Sequence, residues 1–218
     1  PQALTVCQNA GATAINAYFN TSDDQAGETL TWSVFLAPAH GTLGGFNATG
    51  TSVVGNVTPS GLTYTPTAGY SGGDVIQIQV SNGVNSAFTQ VNITVQAAPA
   101  PSFTTSPGAN TCANSSVTYT TQSGGGLNTY VWTVPGSPGS DYTITSGGIG
   151  STNSTVTLTW LSTGSKTVTV NYQNLSGCSA SAPASNTTTG NARPTPTVTT
   201  SPGASIYAGS SFVYSTDC

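Results

Sequence analysis

One histidine, six acids, two bases and four cysteines are the strongly reactive side chains of this 218-residue sequence. Serine-type catalysis would have to run through His40, because the hydroxyl needs a base beside it. His40 stands in a Pro38-Ala39-His40-Gly41 turn with no acidic residue close to it in sequence, and it reads as an exposed turn residue. Hydrolysis by paired carboxylates needs an acid and a base facing each other. Asp23 and Asp24 are instead adjacent in a polar loop, so no enzyme is expected. Asp23, Asp24, Glu28 and Asp74 leave one further chemistry open, since hard oxygen donors gathered in loops bind calcium. The D-x-D and D-x-N-D-N patterns are missing, and the competing reading is a set of turn-forming carboxylates, with Asp74 bonding its own loop. Cys7, Cys112, Cys178 and Cys218 show no C-x-x-C spacing, which with a single histidine argues against zinc. Cysteines in so lysine-poor a chain fit an oxidising, extracellular setting.

Composition narrows the partners. Charged residues make up 4 % of the chain, and the formal net charge is −4. With only Lys166 and Arg193 as bases, neither nucleic acid nor an anionic membrane surface finds counter-charges. No apolar run approaches the roughly 20 residues of a membrane helix, so no membrane insertion is expected. No signal segment is read at the start, and the sequence is taken as a mature or excised form. Disorder is the rival for a chain so rich in Ser, Thr and Gly. The clean alternation of β-branched and aromatic residues, with small net charge, argues against it.

The elements follow from that alternation. Leu30–Val34, Asp74–Val80 and Phe88–Val95 alternate as half-buried strands do, and Ala14–Phe19 and Leu62–Pro66 read as shorter ones. Further on, strands are expected over Ser116–Thr121, Thr129–Val134, Tyr142–Thr145, Ser154–Trp160, Lys166–Tyr172 and Ala180–Ala184. Short strands divided by Gly, Pro and Asn turns mean an all-β fold of tandem Ig-like sandwiches. The stretch Pro99–Gln122 returns at Pro194–Asp217 with 13 of 24 positions identical, including TTSPGA. A spacing near 100 residues suits a sandwich rather than a solenoid unit. Two Pro/Ala-rich linkers, QAAPAPS at 96–102 and NARPTP at 191–196, separate the parts. The expected division is residues 1–97, residues 98–191, and an incomplete third repeat at 192–218.

Particular motifs carry a likeness. LTWSV (30–34), PAHGTL (38–43) and LTYTPTAGYSGGDVIQIQVSNG (62–83) resemble the cadherin-like or Ig-like tandem repeats of secreted bacterial adhesins. CANSSVTYT (112–120), YVWTVPG (130–136), TVTLTW (155–160) and NLSGCSAS (174–181) resemble PKD-like domains of secreted repeat proteins. The resemblance implies sandwich folds, a bacterial cell surface or secreted setting, and calcium at some repeat junctions. It also implies a disulfide between Cys112 and Cys178, where the PKD-like pattern places its cysteines. Cys7 and Cys218 are then left alone and become candidates for intermolecular pairing. Trp32 and Trp132 fall at the central-strand position where such sandwiches bury a tryptophan, and Trp160 is in phase with Val156 and Leu158.

The function expected is a non-catalytic segment of a long extracellular adhesin or surface filament, serving as stalk or spacer in cell-surface attachment. Its partners would be neighbouring repeats or subunits, joined head to tail if the tail at 194–218 completes a neighbour's sandwich. The alternative is an accessory spacer or carbohydrate-binding module of a secreted polysaccharide-degrading enzyme, with surface glycans as partners. Exposed, coplanar aromatics on one sandwich face would favour that alternative.

Overall fold

The computed structural model describes residues 1–195. The chain forms two compact units, each an all-β sandwich of Ig-like type. The first is Pro1–Pro99 together with Asn174–Ser179, and the second is Ala100–Gln173 together with the described residues from Ala180 onward. The loop Asn174–Ser179 therefore belongs to the first unit, whereas the sequence division assigned it to the second. The expected third repeat lies, but for its first residues, outside the described residues.

In the first unit the strands run β1 (Gln2–Cys7), β2 (Thr13–Ala14), β3 (Thr21–Asp23), β4 (Thr29–Leu36) and β5 (Gly41–Gly44), then β6 (Ala48–Thr51), β7 (Gly55–Val57), β8 (Thr63–Pro66), β9 (Gly72–Ser81) and β10 (Ser86–Gln96). A five-stranded sheet has the order β1-β10-β9-β4-β6, a three-stranded sheet the order β2-β8-β5, and β3 pairs with β7. β1 runs parallel to β10 in unbroken register from Gln2 opposite Val91 to Cys7 opposite Gln96. Alternation decides which side chains face in. On β9 these are Asp74, Ile76 and Ile78, and on β10 they are Val91, Ile93 and Val95. The apolar ones close with Trp32, Leu62 and Tyr64 into one core. Each fully buried side chain of this size is worth about 1.5–3 kcal/mol.

Ala14–Phe19 is not the strand expected. β2 ends at Ala14, and Asn16–Phe19 is a 3₁₀ turn, the only helix among the described residues. The Asn16 carboxamide oxygen accepts the Leu62 N–H at 2.8 Å, a bond that a continuing strand would have made with its backbone. The turn then carries Phe19 into the core.

The second unit comprises β11 (Phe103–Thr105), β12 (Asn110–Cys112), β13 (Ser116–Thr121), β14 (Asn128–Thr133), β15 (Tyr142–Gly147), β16 (Thr155–Trp160), β17 (Gly164–Gln173) and β18 (Ala184–Asn191). Its sheets have the orders β11-β13-β16-β15 and β12-β18-β17-β14. Tyr119, Trp132, Leu158, Trp160, Val168 and Val170 fill the space between them. The strand expected at Ala180–Ala184 starts only at Ala184. Pro183 has no N–H to offer a ladder, and the pairing with β17 begins after it. Trp32 and Trp132 are buried as expected, and each indole satisfies its N–H. Trp32 donates to the Phe19 carbonyl at 2.8 Å, and Trp132 to the Asn153 carbonyl at 2.7 Å.

Candidate functional site

His40 is exposed and stacks flat on Tyr70, with ring centroids 3.9 Å apart and planes 8° from parallel. Its backbone, not its imidazole, meets the nearest carboxylate, the N–H donating to Asp74 Oδ2 at 3.0 Å. Asp74 Oδ1 accepts the N–H groups of Ala39 and Val75, each at 2.9 Å, and the Tyr64 hydroxyl donates to Oδ2 at 2.9 Å. Four donors saturate this carboxylate, which alternation on β9 turns toward the core. Its work is to hold the Pro38–Gly41 turn against β8. A Cβ at Gly41 would overlap the Tyr64 ring, so glycine is needed there. Burial, then the bond to Asp74, holds the Tyr64 hydroxyl well above the ordinary tyrosine range. Replacing Asp74 by Asn removes the charge and turns one acceptor into a donor facing other donors. We expect a loss of about 2 kcal/mol in stability by chemical denaturation, each hydrogen bond to a charged group being worth about 1.5–3 kcal/mol. An unchanged midpoint would show the turn to be held by something else.

The other three acids of the calcium reading lie along one cleft that Asp74 does not line. Asp23, Asp24 and Glu28 line an open cleft of ≈ 690 Å³ with Ser81, Asn82 and Asn85. Glu28 Oε2 accepts the Asn82 amide at 2.5 Å, and Asp23 Oδ1 accepts the Gln25 N–H at 3.0 Å, closing a local turn. The four acids are thus not one ligand set. Among the described residues no three His, Cys, Asp or Glu side chains gather in a way that could hold a metal ion.

The cysteines pair differently from the expectation. Cys7 is bonded to Cys178, with Cα atoms 5.4 Å apart, and not left for an intermolecular bridge. Cys178 therefore does not pair with Cys112, which is itself disulfide-bonded. The PKD-like pattern read Cys178 as an end of the second sandwich. Its loop is folded instead onto the first unit, where Asn174 organises it. The Asn174 side-chain oxygen accepts the N–H groups of Ser176 and Cys178 at 3.0 Å each, and its amide donates to the Ala97 carbonyl at 3.1 Å. The loop buries Cys178 to 1 % exposure. Cys218 lies outside the described residues.

Two arrangements were missed by sequence reasoning. In the second unit Lys166 Nζ donates to Ser162 Oγ at 2.7 Å, and Ser162 Oγ donates to Asp141 Oδ1 at 2.9 Å. Lys166 also lies 5.4 Å over the Trp160 ring and is largely buried. Asp141 Oδ2 accepts the Ser137 N–H, and this bond first, then that from Ser162, holds the Asp141 carboxyl below the usual carboxylate range. The chain of donors closes the β16–β17 turn. A depressed folded-state pKa contributes stability that is complete above the unfolded value, about pH 4, and is lost as pH falls through the folded value. Melting temperatures followed downward from about pH 5 should therefore fall less steeply in Asp141→Asn than in the parent. Parallel curves would remove Asp141 from the acid transition.

The second arrangement is on the outer face of the five-stranded sheet. Phe35 sits where the β4–β9 register slips between Val34 and Leu36, and it packs edge-on against Phe88, with centroids 4.9 Å apart and planes at 73°. Both rings are exposed, Phe35 at 62 % and Phe88 at 48 %. Phe88 lies opposite Gln79, and Gln90 opposite Gln77, so the pair is flanked by uncharged amides. The outward face of each ring was legible in sequence, since Phe88 shares parity with Gln90 and Asn92 and not with Val91, Ile93 and Val95, and Phe35 with Thr31 and Ser33 and not with Leu30 and Trp32. The bulge beside Phe35 and its meeting with Phe88 left no such signal.

No protein-family model matches the sequence. No curated protein is similar to it by sequence. Among solved structures the chain is similar to the fibronectin(III)-like modules of Clostridium thermocellum CbhA at 13 % identity and a TM-score of 0.37, over 88 % of this chain and 90 % of that one. It is similar to an I-band fragment of titin at 13 % identity and a TM-score of 0.36, over 75 % of this chain and 66 % of that one. It is also similar to an endo-fucoidan hydrolase of glycoside hydrolase family 107 at 15 % identity and a TM-score of 0.26, spanning 28 % of that chain. No described helix is long and apolar enough to cross a membrane.

Proposed function

We propose that this chain is a non-catalytic structural segment of a long extracellular bacterial adhesin or surface filament, a spacer made of cadherin-like and PKD-like sandwiches in succession. The observation that carries the reading is how the reactive side chains are used. Asp74 braces one turn with four bonds, Lys166, Ser162 and Asp141 close another, and the His40 imidazole is stacked on a tyrosine. A chain with 4 % charged residues that commits these groups to turns and hairpins is built for shape rather than turnover. Its partners are further repeats of its own kind, in the same chain or head to tail. A spacer adds length in proportion to its copies. Chains holding one, two and three copies of the sequence should show particle lengths in electron microscopy that rise by a constant step. A length that stops rising, or release of product from a polysaccharide panel, would sink the proposal.

The exposed Phe35–Phe88 pair supports a second reading, an accessory module that holds a neutral polysaccharide. Rings can stack on sugar faces and amides can bond hydroxyls. The two planes stand at 73°, not coplanar, which suits a single sugar contact better than a flat platform. In affinity electrophoresis, Phe35→Ala and Phe88→Ala should each abolish any retardation by such a polymer. Unaltered retardation would clear this face.

A further inference from the structure

We propose that the Cys7–Cys178 disulfide carries tension past most of both sandwiches, so that a pull along the chain loads the disulfide, β1 and β18 and not the chain from residue 8 to residue 177. This rests on the spacer reading and goes beyond it to the path of force. Covalent connectivity sets the path of force. The bond closes a loop with a sequence separation of 171, which holds β2 to β10 and β11 to β17. A pull from the N-terminal side enters β1 and leaves it at Cys7. It crosses to Cys178 and continues toward β18. Everything from residue 8 to residue 177 hangs beside that path. The disulfide at Cys112 leaves this intact, because an added cross-link never lengthens the shortest covalent route.

The local structure suits the task. β1 is stretched between its own ends while six register pairs hold it beside β10. Cys178 is fully packed, and Asn174 ties its loop both internally and to the Ala97 carbonyl. With the protein fully reduced the same pull would run through the whole chain, and each sandwich would unfold in turn. With it, extensible chain is confined to residues 1–7 and 178–218, 48 residues that span about 17 nm at roughly 3.5 Å each. Fully released, 218 residues span about 75 nm by the same measure. A second consequence is tolerance of damage, since one backbone cut between residues 8 and 177 leaves the two ends joined.

Single-molecule pulling of the whole chain, with handles fused at both ends, tests the path. Oxidised protein should lengthen by no more than about 17 nm, and reduced protein by several times that, toward about 75 nm. Cys7→Ser under oxidising conditions should exceed the oxidised limit. Release near 75 nm from the oxidised parent overturns the proposal while leaving the length-per-copy test of the spacer untouched. A gel gives an independent readout. A protease site placed in the Asn82–Asn85 turn cuts off a fragment whose only cysteine is Cys7. After cutting, one band should remain without reductant and two should appear with it. Two bands without reductant would overturn the proposal as well.

Discussion

Cys7→Ser should destabilise the first unit by about 5 kcal/mol, the largest effect expected of any single substitution here. In the chain-entropy account a closed loop restrains the unfolded state by an amount that grows with the logarithm of its length. If the second unit stays folded, the effective loop is roughly 100 residues and the cost is about 4.7 kcal/mol. If both unfold, the separation of 171 raises it only to about 5 kcal/mol. The size is therefore insensitive to which units melt together. Denaturant unfolding of the oxidised parent against Cys7→Ser and Cys178→Ser, each followed by Trp fluorescence, measures it. The two variants should agree, since either removes the same bond. A difference below about 1 kcal/mol would mean that the loop Asn174–Ser179 stays on the first unit by its hydrogen bonds alone.

Trp32→Ala should cost about 3–5 kcal/mol, the range for deleting a large buried aromatic side chain. Trp32 is 1 % exposed, and its indole N–H bonds the Phe19 carbonyl at the end of the 3₁₀ turn. The substitution therefore leaves a cavity and an orphaned buried carbonyl together. Trp32→Phe separates the two, filling most of the volume while still breaking the bond, and should cost about 1–3 kcal/mol. Trp132→Ala gives the matching measurement in the second unit. Equal losses for Trp32→Ala and Trp32→Phe would assign the whole effect to the hydrogen bond.

Much of the fold is determined by local pattern alone. Period-two alternation in DVIQIQV and FTQVNITV settles that β9 and β10 are strands and which side chains meet the core, because successive residues must point to opposite faces. The same rule places Trp32 and Trp132 inside. It fails at Ala14–Phe19, where Asn16 takes a ladder bond with its side chain and the backbone is free to turn. Alternation also contains the fact that Asp74 faces inward, but not what satisfies it. Apart from the adjacent Val75, its donors come from residues 39, 40 and 64, which only the packed sheets bring together.

The cysteines mark the limit most sharply. Their composition and setting speak for disulfides, yet the partner of Cys7 lies 171 residues away. Local spacing constrains only what a few residues of chain can reach. The loop that carries Cys178 is bonded through Asn174 to the Ala97 carbonyl, and a segment flanked by β17 and β18 belongs to the first unit. Composition and alternation sufficed for two sandwiches, because burying one face of a strand is a local property of its sequence. The covalent loop and the outward Phe35–Phe88 pair depended on tertiary structure, because each needs segments distant in sequence to arrive at the same place.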